Sequence, residues 1–321
     1  MAPSHASRPR GGAPLAMLLS AAVLWGLCIP VMKALGAEQR ALVPELGTIT
    51  SSLGSLAARF GLAAAAISLL ARRSPLRITL FEWRQGLVLG LVTAASMLLQ
   101  VDGLNYTGAS TAGFLIAMYA VLVPVFAWLT GLRKMTPLLL ICCSLLAMGI
   151  AALTGLDPGE FRLGRGEWEN LGAACLFAFQ ILWLSRLKPE AFDPFRLTVV
   201  LCMTVATVAF LALACIPHGL ENLPSIHASP RAALLTLALA LGGTALPFLA
   251  MNRYQPRLDP VQAGFIYCFE PLASVCGALF LPQLLVREAS LYANETLTRG
   301  IFVGGGLILA ANLLLLRDRP E

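Results

Sequence analysis

The sequence predicts an all-α integral membrane protein. Ten transmembrane helices form two inverted five-helix repeats, and both termini lie in the cytoplasm. Three observations carry this expectation. First, 58% of the 321 residues are apolar, only 12% are charged, and mean hydropathy is +0.77. A soluble domain carries about 25% charged residues because its water-facing positions need polar side chains. Second, the apolar residues fall into ten segments of about membrane-crossing length. Third, a short motif recurs at a separation of five segments, the spacing of an inverted repeat.

The segments are 15–35, 46–71, 86–101, 110–131, 137–155, 170–187, 197–217, 232–252, 261–281 and 300–316. Arg8 and Arg10 precede the first, but it is too long for a signal-peptide core and contains Lys33, so it reads as an uncleaved span. The loops are short, and none is long enough for a catalytic domain outside the bilayer.

Orientation follows from the placement of Lys and Arg. The N-terminus and the even-numbered loops hold Arg8, Arg10, Arg72, Arg73, Arg77, Arg84, Arg133, Lys134, Arg186, Lys188, Arg196, Arg253, Arg257, Arg317 and Arg319. The opposite loops hold only Arg40, Arg162, Arg165, Arg231, Arg287 and Arg299. The positive-inside rule puts the richer side, with both termini, in the cytoplasm. The net charge of +6 is thus spent on orientation and gives no sign of a nucleic-acid partner.

The repeat rests on Ala112-Gly113-Phe114 in the fourth segment and Ala263-Gly264-Phe265 in the ninth. Each is followed by a proline in the same segment, Pro124 and Pro271. Five is odd, so the second copy crosses the bilayer in the opposite sense, as in many secondary transporters. Residues 1–14 are then a cytoplasmic tail and 15–155 the first repeat. An external linker, 156–169, leads to the second repeat, 170–316, and residues 317–321 form a second cytoplasmic tail.

Several stretches together resemble the EamA-type family of the drug/metabolite transporter superfamily, over nearly the full chain. They are Leu24-Trp25-Gly26 followed by Lys33, Arg59-Phe60, Tyr106-Thr107 leading into Ala112-Gly113-Phe114 and Val123-Pro124, Gly243-Thr244-Ala245-Leu246, and Phe269-Glu270-Pro271. Gly131-Leu132-Arg133-Lys134 departs from the family pattern, lacking the acid found there. The resemblance implies a multi-pass protein of the cell membrane that moves a small metabolite or drug-like solute by alternating access. It does not imply which solute.

Ionisable residues inside the bilayer cost roughly 2.5–3.5 kcal/mol each on insertion scales, which makes them functional candidates. Lys33 lies near an end of its segment, where it can snorkel. Arg59 and Glu270 lie at the midpoints of theirs. Three readings stay open for these two: a direct or water-bridged ion pair, separate roles in a wet cavity, and structural hydrogen bonds to backbone. Glu270 is the candidate for proton coupling. Trp25, Tyr119, Tyr267 and Gln180 complete the candidate substrate cavity, against a packing role for the aromatics. A few polar groups among aromatics suit a small amphipathic solute. Pro30, Pro124 and Pro271 are candidate helix kinks, as is Pro247; each removes a backbone hydrogen bond.

No metal or cofactor is expected. The eight cysteines all lie in apolar runs without C-x-x-C spacing, and the three histidines, His5, His218 and His227, lie outside the segments. No catalytic motif appears either, so the chain is read as a non-enzyme. A channel or scaffold, or a membrane-embedded transferase, is the alternative. Gly86-x-x-x-Gly90 and Gly300-x-x-x-Gly304 allow close helix contact, read as packing within the chain; a monomer and a homodimer both fit. The expected partners are the bilayer, a small solute and protons.

Overall fold

A computed structural model describes residues 12–71, 77–103, 106, 109–155, 163–286, 294 and 296–315. Arg8, Arg10, Arg72, Arg73, Thr107, Arg162, Arg287, Arg317, Arg319, most of the 156–169 linker and both tails beyond Gly12 and Leu315 lie outside the described residues. Among those described the fold is all-helical.

The first three segments are single helices: α1 (Gly12–Leu42), α2 (Thr48–Leu70) and α3 (Leu80–Gly103). The fourth is two pieces, α4 (Ala109–Ala117) and α5 (Tyr119–Leu129). Then come α6 (Pro137–Thr154), α7 (Arg165–Arg186) and α8 (Pro194–Ala214). The eighth segment comprises α9 (Pro230–Ala240), a π-helical turn (Leu241–Ala245) and α10 (Leu246–Tyr254). The ninth is α11 (Pro260–Tyr267) and α12 (Phe269–Ala278). A short α13 (Pro282–Leu285) precedes the last helix, α14 (Arg299–Leu315).

Four helices begin with one device. Thr136, Asp193, Ser229 and Asp259 cap the first turns of α6, α8, α9 and α11 with side-chain oxygens, and each is followed by proline. The cap satisfies an orphan N–H, and proline fits the next position because it has no N–H to satisfy. The α3 helix starts earlier than hydropathy suggested because Thr79 and Glu82 build a capping box, with Thr79 N 2.7 Å from Glu82 Oε2 and Glu82 N 3.2 Å from Thr79 Oγ1. Arg84, expected in a loop, therefore lies inside a helix.

The fourth and ninth segments were expected as continuous spans kinked at proline. Each is instead interrupted at one residue upstream, Met118 and Cys268. There the chain tightens into short-range bonds, Val121 N to Met118 O at 2.9 Å and Cys268 N to Phe265 O at 3.1 Å. Pro271 accounts for the second, since its ring crowds the carbonyl of Tyr267, four residues back. Met118 lies beyond the equivalent reach of Pro124. By contrast, α1 runs unbroken through Pro30.

Five helical stretches are long and apolar enough to cross a membrane: Gly12–Leu42, Thr48–Leu70, Leu80–Gly103, Pro194–Ala214 and Pro230–Arg257. Gly113–Leu129, Pro137–Leu153 and Arg299–Leu315 are shorter apolar helices. The polarity is that of a protein in lipid. Leu70, Leu284 and Phe302 stand exposed, whereas Asn252, Gln255 and Thr244 are fully buried. α2 packs on α8 and α9, and α6 packs on α14. α1 lies against α9, α10 and α12, α3 against α7 and α8, and α5 against α7 and α11.

Small residues permit the closest crossings. Gly300 and Gly304 of α14 rest on α6, at Ala152 and Gly149, and Gly86 and Gly90 of α3 rest on Val200 and Thr204 of α8. Both small-residue motifs thus serve packing within the chain. A Cβ at Gly304 would stand 2.5 Å from Gly149 O and 2.6 Å from Leu153 N, whereas one at Gly306 on the exposed face of α14 would meet nothing. Gly304→Leu is therefore expected to lower the thermal stability of the purified protein by about 1–3 kcal/mol, the usual cost of overpacking. Gly306→Leu should leave it unchanged. Equal melting temperatures for the two variants would contradict this packing.

Candidate functional site

The site begins with two prolines. Pro247 has no N–H to offer the Gly243 carbonyl four residues back, and Pro271 none for the Tyr267 carbonyl. Both residues are buried, and an unbonded backbone carbonyl in a dry interior costs several kcal/mol. Side chains from the other half of the sequence supply the donors. Arg59 Nη2 of α2 lies 3.3 Å from Gly243 O, and the Tyr119 hydroxyl of α5 lies 3.1 Å from Tyr267 O.

Arg59 also fixes the π-turn before Pro247. Its Nε donates to Thr244 Oγ1 at 2.6 Å, and Thr244 in turn donates to Leu239 O, five residues back, at 3.1 Å. Nη1 lies 3.1 Å from Met32 Sδ of α1, a weak acceptor. Arg59 as a whole is 7% exposed. Each of these partners is neutral.

Glu270 sits in the first turn of α12, beside the interruption at Cys268. Its Oε2 lies 3.4 Å from the Tyr119 hydroxyl, so one hydroxyl stands between the freed Tyr267 carbonyl and the carboxyl. Glu270 is half-buried. No ion pair within 4.0 Å joins it to Arg59, so a direct bridge between the two midpoint charges is not formed. Of the three readings, hydrogen bonds to neutral groups describe Arg59, and a half-buried position describes Glu270.

The other sequence candidates fall around this frame. Trp25 of α1 packs edge-on against Tyr267 at 5.5 Å and against Phe248 of α10 at 5.4 Å. Phe248 also meets Phe60 at 5.6 Å, which extends the aromatic row to the residue after Arg59. Tyr119 packs against Phe177 of α7 at 6.2 Å. The Tyr267 hydroxyl, however, turns away from the carboxyl and donates to Gln255 Oε1 at 2.8 Å, and Gln255 donates on to Ile181 O. Gln180, nearly fully buried, bonds across helices to Thr93 of α3 at 3.1 Å. The Thr93 hydroxyl faces two acceptors, Gln180 Oε1 at 3.1 Å and Leu89 O at 2.7 Å.

α1 reaches this centre because Gly26 lets it touch backbone. A Cβ there would collide with Glu270 O, Ala273 Cβ and Ser274 N of α12. Pro30 lies on the same crossing, against Gly277, and Pro124 is buried within α5. Sequence reading missed Thr93, Thr244, Phe248 and Gln255. The signal for Thr244 was present in Gly243-Thr244 placed four and three residues before Pro247, which marks a freed carbonyl with a hydroxyl beside it.

No curated protein matches the chain. Solved structures do resemble it, among them a protein crystal structure with a TM-score of 0.70 at 16% identity, covering 95% of this chain and 96% of that one; at that identity the likeness concerns the fold alone. Residues 13–155 are similar to the model of the EamA-like transporter family, a match consistent with the drug/metabolite transporter superfamily and with the helices long and apolar enough to cross a membrane.

Proposed function

We propose that the protein is a secondary transporter of the cytoplasmic membrane, moving a small metabolite or drug-like solute by alternating access coupled to protons at Glu270. The two five-helix repeats are 15–155 and 170–316, joined by an external linker at 156–169, with cytoplasmic tails at 1–14 and 317–321. The substrate cavity is built from Trp25, Arg59, Tyr119, Gln180, Tyr267 and Glu270.

One observation carries the reading. The interrupted segments α4–α5 and α11–α12 meet in the interior, where Tyr119 at one interruption bonds the carbonyl just before the other. Discontinuous helices facing each other near the middle of the fold are typical of transporter binding sites, since irregular backbone is tolerated at membrane depth only where protein or a cavity satisfies it.

The helix packing supports the inverted repeat. Moving every segment on by five exchanges each major pairing with another or returns it to itself. The pairs α2–α8, α5–α11 and α6–α14 map onto themselves. α1 with α9 and α10 maps onto α7 with α3, α1–α12 onto α7–α5, and α3–α8 onto α9–α2. A channel needs no such exchange symmetry, whereas alternating access uses it to build one pathway on each side of a shared site.

Thermal-shift screening of the purified protein against metabolites identifies the solute, because a ligand at 100 times its Kd adds about 2.7 kcal/mol of stability. Counterflow of that solute in proteoliposomes then tests the carrier. Uptake accelerated by solute on the opposite side is expected; its absence alongside rapid leak would indicate a channel.

Two further outcomes follow. Glu270→Gln, which keeps the shape but cannot titrate, is expected to abolish net pH-driven transport while solute exchange survives; pH-driven transport at the wild-type rate would remove Glu270 from the coupling. A C-terminal reporter active only in the cytoplasm is expected to work, and one active only outside to be silent. The reverse pattern would overturn the orientation.

A further inference from the structure

Tyr119 has one hydroxyl hydrogen and two acceptors. Tyr267 O, freed by Pro271, lies at 3.1 Å and Glu270 Oε2 at 3.4 Å. The residue sits on α5 immediately after the Met118 interruption, while both acceptors flank the Cys268 interruption of the other half. The Tyr267 hydroxyl is engaged with Gln255 and does not compete for the carboxyl. We infer that Tyr119 is the positioning residue through which the two halves read the proton on Glu270, acting as a latch across the interrupted helices.

The inference rests on the proposed role of Glu270 as the proton carrier. When Glu270 is protonated, its O–H donates to Tyr119 Oη, and Tyr119 donates to Tyr267 O. Every donor then has an acceptor, and α5 is held against the α11–α12 junction. When Glu270 is ionised, the carboxylate attracts the Tyr119 hydrogen, because a hydrogen bond to a charged acceptor is the stronger one. The Tyr267 carbonyl is then left without a donor, since Pro271 has none. A buried polar group in that condition is costly, so the junction loosens until water or a polar group of the solute reaches the carbonyl. Proton loss thereby offers a backbone acceptor to the cavity.

The titratable and charged groups around the carboxyl leave this pair distinct. Arg59 of α2 acts on it at longer range, Tyr119 faces it from α5, and the carboxyl in turn acts on Cys28 of α1. Tyr267 and Cys268 precede it along the chain, and Cys143 of α6 acts electrostatically on Cys268. Lys33 is on the exposed side of α1, and α14 carries Arg299 only at its first residue. Among the described residues, Tyr119 is the one side chain that hydrogen-bonds Glu270.

Amide hydrogen exchange read by mass spectrometry on the full chain in nanodiscs tests this without a known solute. Segments 114–123 and 265–273 would be compared at acid and alkaline pH, corrected for the intrinsic rate. In wild type both segments should exchange more slowly at acid pH. Glu270→Gln, whose amide donates as the protonated acid does, should hold the slow level at both pH values. Tyr119→Phe keeps the ring against Phe177 but should lose the pH dependence. Pro271→Ala, which returns an N–H to Tyr267 O, should lose it too and serves as the arm if Tyr119→Phe fails to fold. Wild-type pH dependence in Tyr119→Phe, with none in Glu270→Gln, would overturn the latch and leave the proton role of Glu270 standing. Wild-type pH dependence in Glu270→Gln would overturn the proton role, and the latch with it.

Discussion

A backbone carbonyl without a donor has nowhere to turn inside a bilayer. Water satisfies such groups at the surface of a soluble protein, but at membrane depth the partner must come from other protein atoms or from a cavity. Pro247 and Pro271 each create one such carbonyl, at Gly243 and Tyr267. In both cases the donor is a side chain from the first half of the sequence, Arg59 or Tyr119. The centre of the fold is therefore held by bonds between halves that each half needs in order to be satisfied.

Much of the surrounding structure serves that constraint. Arg59 reaches Gly243 because Thr244 turns the chain through a π-helical step and accepts from the guanidinium itself. Gly26 lets α1 lie against α12 beside Glu270, and the Trp25 ring then fills the space between Phe248 and Tyr267. Dispersion and close backbone approach hold such crossings, since lipid tails are as apolar as leucine and offer no hydrophobic drive. The same feature that stabilises the centre makes it adjustable. A carbonyl held by a side chain can be released by a change in that side chain's partners, whereas one held within a regular helix cannot.

The helices were legible in the sequence because hydropathy alone dictates which stretches can face lipid. All ten apolar segments fall on helices. The midpoint charges were legible for the same reason, since Arg59 and Glu270 stand out against apolar neighbours. Three things were not. The α3 helix began well before its apolar segment because the Thr79–Glu82 cap satisfied its first turn, and hydropathy does not register caps. The interruption at Met118 lies six residues before Pro124, so the proline's position did not reveal it. The oxygen acceptors of Arg59, Gly243 O and Thr244 Oγ1, lie 184 and 185 positions away along the chain. No local pattern pairs residues at that distance, although the position of Pro247 identifies Gly243 as a carbonyl in need of a donor.

The central claim is that Arg59 is held at the centre by the carbonyl that Pro247 frees. A double-mutant cycle on thermal or denaturant stability of the purified protein measures this directly. Arg59→Ala removes the donor, and Pro247→Ala returns an N–H to Gly243 O within its own helix. The account predicts strong coupling, with Pro247→Ala offsetting about 1 kcal/mol or more of the loss from Arg59→Ala, within the ~0.5–3 kcal/mol range seen for residues sharing one hydrogen-bond network. Additive effects of the two substitutions would contradict it.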